Sequence, residues 1–167
     1  AGCFCSFFAL DLSAQDVIWS EYFDGYAVDY GITTSADQSF DQENGKWTIT
    51  TVNCDYFKKT TSSGYIETTN ALGIATWTSG VIATDGYTNL EADIRIREIG
   101  DCEESGSWID YYRVSVSYDG GTNYSEIGYD SGDFGDVSLD LNLTVSATIR
   151  LKIELRNTSD EEQHRIY

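Results

Sequence analysis

Residues 90–98 read LEADIRIRE, and apolar and charged side chains alternate along the whole stretch. Alternation with a period of two puts the apolar side chains on one face of a β-strand and the charged ones on the other. The stretch therefore predicts a strand with a core face of Leu90, Ala92, Ile94 and Ile96 and a solvated face of Glu91, Asp93, Arg95 and Arg97. Residues 148–156, TIRLKIELR, repeat the pattern.

Further strands are predicted where short apolar or β-branched runs lie between turn residues, at 17–23, 46–52, 65–69, 74–78, 80–84, 111–118, 124–129 and 137–141. Residues 118–122, YDGGT, predict a tight hairpin, because Asp-Gly and Gly-Gly supply the positive φ that such a turn needs. No stretch has a helical period with caps. The pattern predicts an all-β fold, an antiparallel two-sheet β-sandwich that is jelly-roll-like.

Residues 24–44 have little periodicity and contain several aromatic side chains. We interpret this segment as a long loop over one end or face of the sandwich. Long loops in compact domains are often functional.

The composition of the chain restricts its partners. Its 167 residues carry a formal charge of −18, with 41% hydrophobic residues, which suits one folded domain. Such a charge repels nucleic acid and anionic membrane surfaces, whereas calcium and neutral sugars are compatible with it.

Residues 1–15, AGCFCSFFALDLSAQ, resemble the remnant of a secretory signal peptide with Ala14 at the cleavage point. The alternative is a buried N-terminal strand. The apolar run is too short to cross a membrane, so no membrane insertion is expected. Because the chain contains no methionine, we expect it to be a piece of a longer exported protein, with residues 16–167 as a single module.

Two cysteines, Cys54 and Cys102, remain beyond the predicted leader. In an exported chain they form either one disulfide or two separate buried thiols. Zinc is disfavoured here, because no other cysteine or histidine lies at ligand spacing near either residue.

The segments that carry a family resemblance run in order along the chain: 18–26 (IWSEYFDGY), 46–47 (KW), 55–57 (DYF), 74–82 (IATWTSGVI), 86–90 (GYTNL), 110–121 (DYYRVSVSYDGG), 132–135 (GDFG) and 162–165 (EQHR). Together they resemble a carbohydrate-binding-module-like β-sandwich module of Bacteroidetes-type secreted and surface proteins with type IX secretion. The resemblance implies an extracellular or outer-surface location, a last strand cut short at Tyr167, and further domains of the same chain.

Two sets of acids could bind calcium, which takes six to eight oxygen ligands. Asp130, Asp133 and Asp136 lie three residues apart in a glycine-containing loop. The resemblance implies a second, structural calcium site, in which Glu21 or Asp24 joins acids beside the last strand. The alternative is a solvated acidic surface.

Aromatic side chains are the other candidate ligand groups, because a flat apolar face with a polar tip suits stacking on sugar rings. We expect Tyr26, Tyr30, Tyr56, Trp108 and Tyr129 to be the exposed ones, although most tyrosines of a sandwich pack in its core or across strands.

No catalytic residues are predicted. His164 is the only histidine and has no nucleophile motif to serve, so we interpret it as a polar strand residue. We predict a non-catalytic extracellular module that acts in adhesion or binds a glycan or cell-surface ligand. The alternative is an accessory module of a secreted glycan-degrading hydrolase, or the hydrolase itself, which requires two facing acids in a concave sheet; an Arg- and Thr-covered face argues against the hydrolase.

Overall fold

The computed structural model describes residues 16–35, 37–103, 106 and 108–167; the predicted leader lies outside them. The described residues form thirteen strands: β1 (Gly31–Ile32), β2 (Gln38–Asp41), β3 (Trp47–Val52), β4 (Tyr56–Lys58), β5 (Ile66–Thr69), β6 (Ile74–Ser79), β7 (Ile82–Ala83), β8 (Leu90–Ile99), β9 (Tyr111–Ser117), β10 (Ser125–Ser131), β11 (Asp136–Leu143), β12 (Thr148–Arg156) and β13 (Gln163–Ile166). In this part of the chain there is no helix of the length and apolarity needed to cross a bilayer.

The strands form two antiparallel sheets. The first sheet has the order β1-β4-β5-β13-β8-β11, and the second has the order β10-β9-β12-β6-β3-β2, with β7 paired to β12. Along its described residues, the chain passes between the sheets eight times: at β1 to β2, β3 to β4, β5 to β6, β7 to β8, β8 to β9 and each step from β10 to β13. The predicted all-β, antiparallel, jelly-roll-like fold is confirmed.

The core lies between the two sheets and is built by the alternation that the sequence predicts. In β12, Ile149, Leu151, Ile153 and Leu155 are buried, while the residues between them are half-buried on the outer face. In β8, Leu90, Ile94 and Ile96 are buried. Burial of side chains of this size contributes about 1.5–3 kcal/mol each.

The first predicted strand, residues 17–23, is wrong: no strand forms there. The carboxylate of Glu21 accepts hydrogen bonds from the backbone N–H groups of Tyr22 and Phe23, at 3.0 and 3.1 Å. Local side-chain acceptors of this kind compete with a strand ladder for backbone donors. The apolar run therefore packs without sheet hydrogen bonds.

The predicted loop 24–44 contains two short strands, β1 and β2, which pair with β4 and β3 respectively. Strand β4 was also not predicted, and β13 was expected only as the last strand that the resemblance implies, with His164 in it. All four have four residues or fewer, too short for a period of two to stand out in the sequence.

The predicted hairpin joins β9 to β10. Gly120 and Gly121 have φ of 78° and 103°, in the left-handed region that favours glycine. The Asp119 carboxylate accepts hydrogen bonds from Ser117 Oγ, the backbone N–H groups of Thr122 and Asn123, and Asn123 Nδ2, at 2.6–3.0 Å. These bonds close the turn.

The Asp119 turn leads us to expect a pH-dependent stability difference. Hydrogen bonds to its carboxylate, foremost that from the Asn123 backbone, hold the pKa of Asp119 well below its usual range. The folded-state pKa is therefore below the unfolded value of about 4, so the contribution is present above about pH 4 and lost as the pH falls. Asp119→Asn should be less stable than wild type near neutral pH, with the gap closing toward about pH 2 in urea titrations. A gap independent of pH would contradict this assignment.

Candidate functional site

The outer face of the second sheet brings aromatic and charged side chains together at one end. Tyr129 of β10 lies opposite Arg113 of β9, and Arg113 lies opposite Glu154 of β12. Tyr111 of β9 lies opposite Arg156 of β12. Partners in antiparallel strands project to the same face, so these side chains are neighbours.

Four of these side chains, together with Trp108, form what we call the aromatic–arginine row: Trp108, Arg156, Tyr111, Arg113 and Tyr129. The Arg156 guanidinium lies 5.5 Å from the centre of the Trp108 ring. The Arg113 guanidinium lies 5.4 Å from the Tyr111 ring and 5.5 Å from the Tyr129 ring. The two tyrosine rings are 5.8 Å apart, centre to centre. Cation–π contacts of this length hold the rings in a fixed arrangement.

The two ends of the row are open to solvent. Trp108 is 55% exposed and Tyr129 is 44% exposed. Tyr111 lies deeper, and burial raises the pKa of its phenol. The row therefore presents two accessible rings, Tyr129 on β10 and Trp108 in the segment before β9.

Acidic groups beside the row are joined to its cations. Arg113 Nε lies 2.9 Å from a Glu126 oxygen, and Arg113 Nη1 lies 3.9 Å from a Glu154 oxygen. Lys152 Nζ lies 3.4 Å from Glu154 and 4.8 Å from the centre of the Tyr124 ring. The face thus carries hydrogen-bond donors and acceptors of both signs.

Beyond the row, the same face is covered by threonines. Thr50 of β3 lies opposite Thr76 of β6, and Thr48 lies opposite Thr78. The two acids near the row, Glu126 and Glu154, both contact Arg113. The outer face of the second sheet is therefore covered by arginine and threonine side chains, and the two acids near the row are paired with cations.

The first sheet has a comparable set of groups on its outer face, but it is buried. Arg165 lies 4.5 Å from the centre of the Tyr65 ring and pairs with Glu67 at 2.5 Å. Tyr65 is 7% exposed and Glu67 is 3% exposed. These groups stabilise the sheet, and they leave little ring surface for a ligand.

The structure divides the five predicted aromatic residues into two groups. It brings Trp108 and Tyr129 together in the row. Tyr26 and Tyr30 instead stack on each other at 4.7 Å and pack at the edge of the buried Trp47 ring. Tyr56 lies on the other sheet and donates to Glu67 at 2.8 Å, and burial raises its pKa.

The row also contains Tyr111, Arg113 and Arg156, which the sequence did not single out as site residues. A signal was present, because Tyr111 and Arg113 alternate with the apolar Tyr112 and Val114 in a predicted strand. That pattern assigns them to the outer face. It does not assign Arg156, 43 positions beyond Arg113, to the same end of the sheet.

The acids predicted to bind calcium do not converge. Asp136 is bound to Arg95 through both carboxylate oxygens, at 2.9 and 2.6 Å. Asp133 accepts from the Cys102 N–H at 2.9 Å, and Asp130 accepts from the Ser131 N–H. Calcium binding by this loop stays a prediction.

Glu21 and Asp24, either of which was predicted to bind calcium together with acids beside the last strand, also have other surroundings. The Glu21 oxygen Oε2 accepts from Trp47 Nε1 at 2.9 Å and from the Tyr26 hydroxyl at 3.0 Å, and lies 3.3 Å from Lys46 Nζ. The backbone carbonyl of Asp24 accepts from the buried Lys59 Nζ. Glu21 thus ties the N-terminal segment to the core, and calcium at this pair stays a prediction.

Cys54 and Cys102 are free, buried thiols, so the disulfide alternative is corrected in favour of two separate thiols. Cys54 Sγ lies 3.0 Å from Thr68 Oγ1, between β3 and β5. Cys102 Sγ follows β8 and lies 3.8 Å from His164 Nε2. Thr68 of β5 and His164 of β13 are paired positions of the first sheet, and each contacts one of the two thiols.

A buried polar cluster surrounds Cys102. Ligand-type atoms of Cys102, Asp110 and Glu162 all lie within 4.8 Å of one another, and all three residues are buried. Burial raises the pKa values of the Cys102 thiol and of the Asp110 and Glu162 carboxyls. It lowers the pKa of His164 to about 3. When only protein groups are considered, burial disfavours the charged form of each of these four side chains.

A cavity of about 730 Å³ lies between residues 16–23 and strands β6, β8, β11 and β12, and its lining also includes the polar residues Glu91, Asp93, Arg95 and Asp140. Its walls include Trp77, Leu90, Ile94 and Leu151. These are core side chains, so the cavity belongs to the space between the sheets and is separate from the outer face that carries the row.

No known protein family model matches the chain, and no curated protein matches it. Similarity exists to solved structures. The chain is similar to a family 29 carbohydrate-binding module, at 7% identity and a TM-score of 0.42 over 83% of this chain and 81% of that chain. It is similar to a mutant of such a module complexed with mannohexaose, at 8% identity and a TM-score of 0.39 over 84% and 88% of the two chains. It is also similar to the xylan-binding domain of a family 22 module, at 14% identity and a TM-score of 0.43 over 81% of this chain and 90% of that one.

Proposed function

We propose that this chain is a non-catalytic module that binds a neutral glycan through the aromatic–arginine row. The observation that carries the proposal is the pair of exposed rings, Trp108 and Tyr129, at the two ends of a row of packed side chains on one sheet. Tyr129 is positioned by strand β10, and Trp108, which precedes β9, is held against Arg156 of β12.

The chemistry of the row suits a sugar. The apolar faces of pyranose rings stack on aromatic rings, and their hydroxyls need donors and acceptors close by. Glu126, Glu154 and Lys152 supply these beside the rings. The net charge of −18 disfavours polyanionic glycans as partners, which leaves neutral ones.

A binding role fits the acids of this face better than a hydrolytic one. Glycoside hydrolysis needs one carboxyl that holds a proton and a second that attacks or activates water. Glu126 and Glu154 share the same guanidinium, and Glu154 also pairs with Lys152. Both acids are thus engaged in ion pairs with cations of the sheet, which supports a binding role over a hydrolytic one.

In the same proposal the chain acts outside the cell or on its outer surface, as one module of a longer protein that carries further domains. The support is the signal-peptide pattern of residues 1–15 and the resemblance of residues 16–167 to modules of secreted bacterial proteins. Adhesion through a surface glycan is the role that a module of this kind would have.

The proposal predicts that the exposed rings carry the affinity. We expect Trp108→Ala and Tyr129→Ala each to weaken glycan binding about tenfold or more, since truncating a stacking ring in a binding surface typically costs more than about 1.4 kcal/mol. Calorimetry on a panel of mannohexaose, cellulohexaose and soluble xylan, with and without calcium, measures this. Tyr87→Ala is the matched control: Tyr87 is 38% exposed in the turn between β7 and β8, away from the row, and should bind like wild type.

Other outcomes would overturn the proposal. Wild-type protein that binds no glycan of a wider array would reject glycan binding. Equal loss in the Tyr87 variant would show that the row is not the site. Release of reducing ends from any panel member, abolished by Glu126→Gln or Glu154→Gln, would establish the hydrolase alternative.

A further inference from the structure

The buried polar cluster joins both sheets at one end of the sandwich. Cys102 follows β8, Asp110 precedes β9, and Glu162 and His164 lie at the start of β13. Glu162 and His164 are two positions apart in extended chain, so their side chains share a face. Phe134 packs against His164 and Tyr112, at 5.1 and 4.8 Å between ring centres, and closes one side of the cluster.

Two polar atoms of this cluster have no hydrogen-bond partner among the described residues. They are Asp110 Oδ1 and His164 Nδ1, and both residues are 0% exposed. A buried polar atom without a partner costs about 1–3 kcal/mol. His164 Nδ1 faces away from Nε2, the nitrogen next to Cys102, so Asp110 Oδ1 is the orphan that indicates a group other than the described side chains at this cluster.

The charge of the cluster has the sign that a cation would balance. Asp110 and Glu162 each place a carboxylate oxygen within 4.8 Å of the Cys102 sulfur, and Asp133 accepts a hydrogen bond from the Cys102 backbone N–H at 2.9 Å. Within the described part of the chain, neither Asp110 nor Glu162 forms an ion pair with lysine or arginine. Buried carboxylates in proteins are ordinarily paired or bound to a metal.

Backbone groups hold the two carboxylates in place. The Glu103 N–H donates to Asp110 Oδ2 at 2.9 Å, and the Thr158 and Ser159 N–H groups donate to Glu162 Oε2 at 3.0 Å. Bonds of this kind orient carboxylates in metal sites. In Asp110 they leave the other oxygen, Oδ1, without a partner.

We propose that Cys102, Asp110 and Glu162 bind one zinc ion in the core, with the His164 imidazole as the fourth ligand. Sulfur and imidazole nitrogen suit zinc and are poor ligands for calcium, which takes oxygen. Tetrahedral zinc with ordinary bond lengths places sulfur and nitrogen ligands roughly 3.5 Å apart. Cys102 Sγ and His164 Nε2 are 3.8 Å apart, and the ligand atoms of Cys102, Asp110 and Glu162, which lie within 4.8 Å of one another, need to contract only modestly.

Such an ion would be structural. Its ligands come from the end of β8 and the start of β13 in the first sheet and the start of β9 in the second, so it would fasten the sheets to each other. All four proposed ligands belong to the chain, which matches closed structural zinc sites. This site is independent of the aromatic–arginine row.

The test is a cobalt titration of the metal-free chain. We expect one equivalent of Co²⁺ to bind and to give a thiolate-to-cobalt charge-transfer band in the near ultraviolet, which Zn²⁺ then abolishes by displacement. Free Zn²⁺ at about 100 times its Kd should raise Tm by roughly 5–10 °C. Cys102→Ser should lose the charge-transfer band, and Cys54→Ser, which changes the other buried thiol, should keep it.

Three results would overturn the proposal. Wild-type protein that binds neither Co²⁺ nor Zn²⁺ would show that the cluster is a proton-sharing network. A charge-transfer band that follows Cys54 would place the ion elsewhere. Calcium binding that Asp110→Asn abolishes and Cys102→Ser preserves would assign the cluster to a hard cation. The wild-type spectrum alone decides the first case, even where a variant does not fold.

Discussion

Trp47→Ala is expected to lower the free energy of unfolding by about 3–5 kcal/mol, the range for truncation of a buried aromatic side chain. Trp47 is 1% exposed. The rings of Phe23, Tyr26, Tyr30 and Phe40 surround it, with centres 5.6–6.1 Å from its own. The indole also donates to Glu21 at 2.9 Å, so the truncation leaves a cavity and removes a donor from a half-buried carboxylate.

Urea unfolding followed by far-UV circular dichroism measures this loss. Trp108→Ala is the matched control, because Trp108 is 55% exposed and its removal leaves no buried cavity. We expect a change of about 0.5 kcal/mol or less for the control. A loss below about 1 kcal/mol for Trp47→Ala would contradict the packing that joins residues 23–40 to β3.

Lys59→Met is expected to lower the free energy of unfolding by about 3 kcal/mol. Lys59 is 1% exposed, and its ammonium group donates to the backbone carbonyls of Phe23 and Asp24. Methionine preserves most of the side-chain volume but leaves two carbonyl oxygens without their donor. Such groups cost about 1–3 kcal/mol each.

Lys58→Met is the control for this prediction. Lys58 precedes Lys59 in the chain, and its ammonium group pairs at 2.6 Å with Asp29, whose side chain is 62% exposed. An exposed pair of this type contributes about 0–1 kcal/mol. Equal losses for the two variants would show that Lys59 does not fasten residues 23–24 to the edge of the first sheet.

Prediction from the sequence succeeded where the signal was local and repeated. The alternation in 90–98 and 148–156 assigned core and outer faces correctly, since burial in an antiparallel sheet acts on every second residue. The glycines at 120 and 121 located a turn, since positive φ is nearly free of cost for glycine alone. The strand predicted at residues 17–23 does not form, because the Glu21 carboxylate accepts hydrogen bonds from the backbone N–H groups of its own neighbours. The apolar pattern of a sequence does not reveal this competition.

The candidate site was predicted only in part, because its signal in the sequence is residue type alone. Sequence reasoning identified Trp108 and Tyr129 by residue type, but Tyr26 has the same chemistry and is packed against Trp47. Residue type specifies what a ring can do and not whether it is exposed. Exposure depends on which strands cover it.

The sequence by itself determined the fold class, the two long strands and the hairpin, because each depends on residues that are neighbours in the chain. Only the tertiary structure decided that Arg113 stands between Tyr111 and Tyr129, and that His164 lies 3.8 Å from Cys102. The histidine argued against zinc when it was judged by spacing, since 61 residues separate it from the cysteine. Antiparallel pairing of β13 with β8 removes that separation, because hydrogen bonding between strands depends on register and not on distance along the chain.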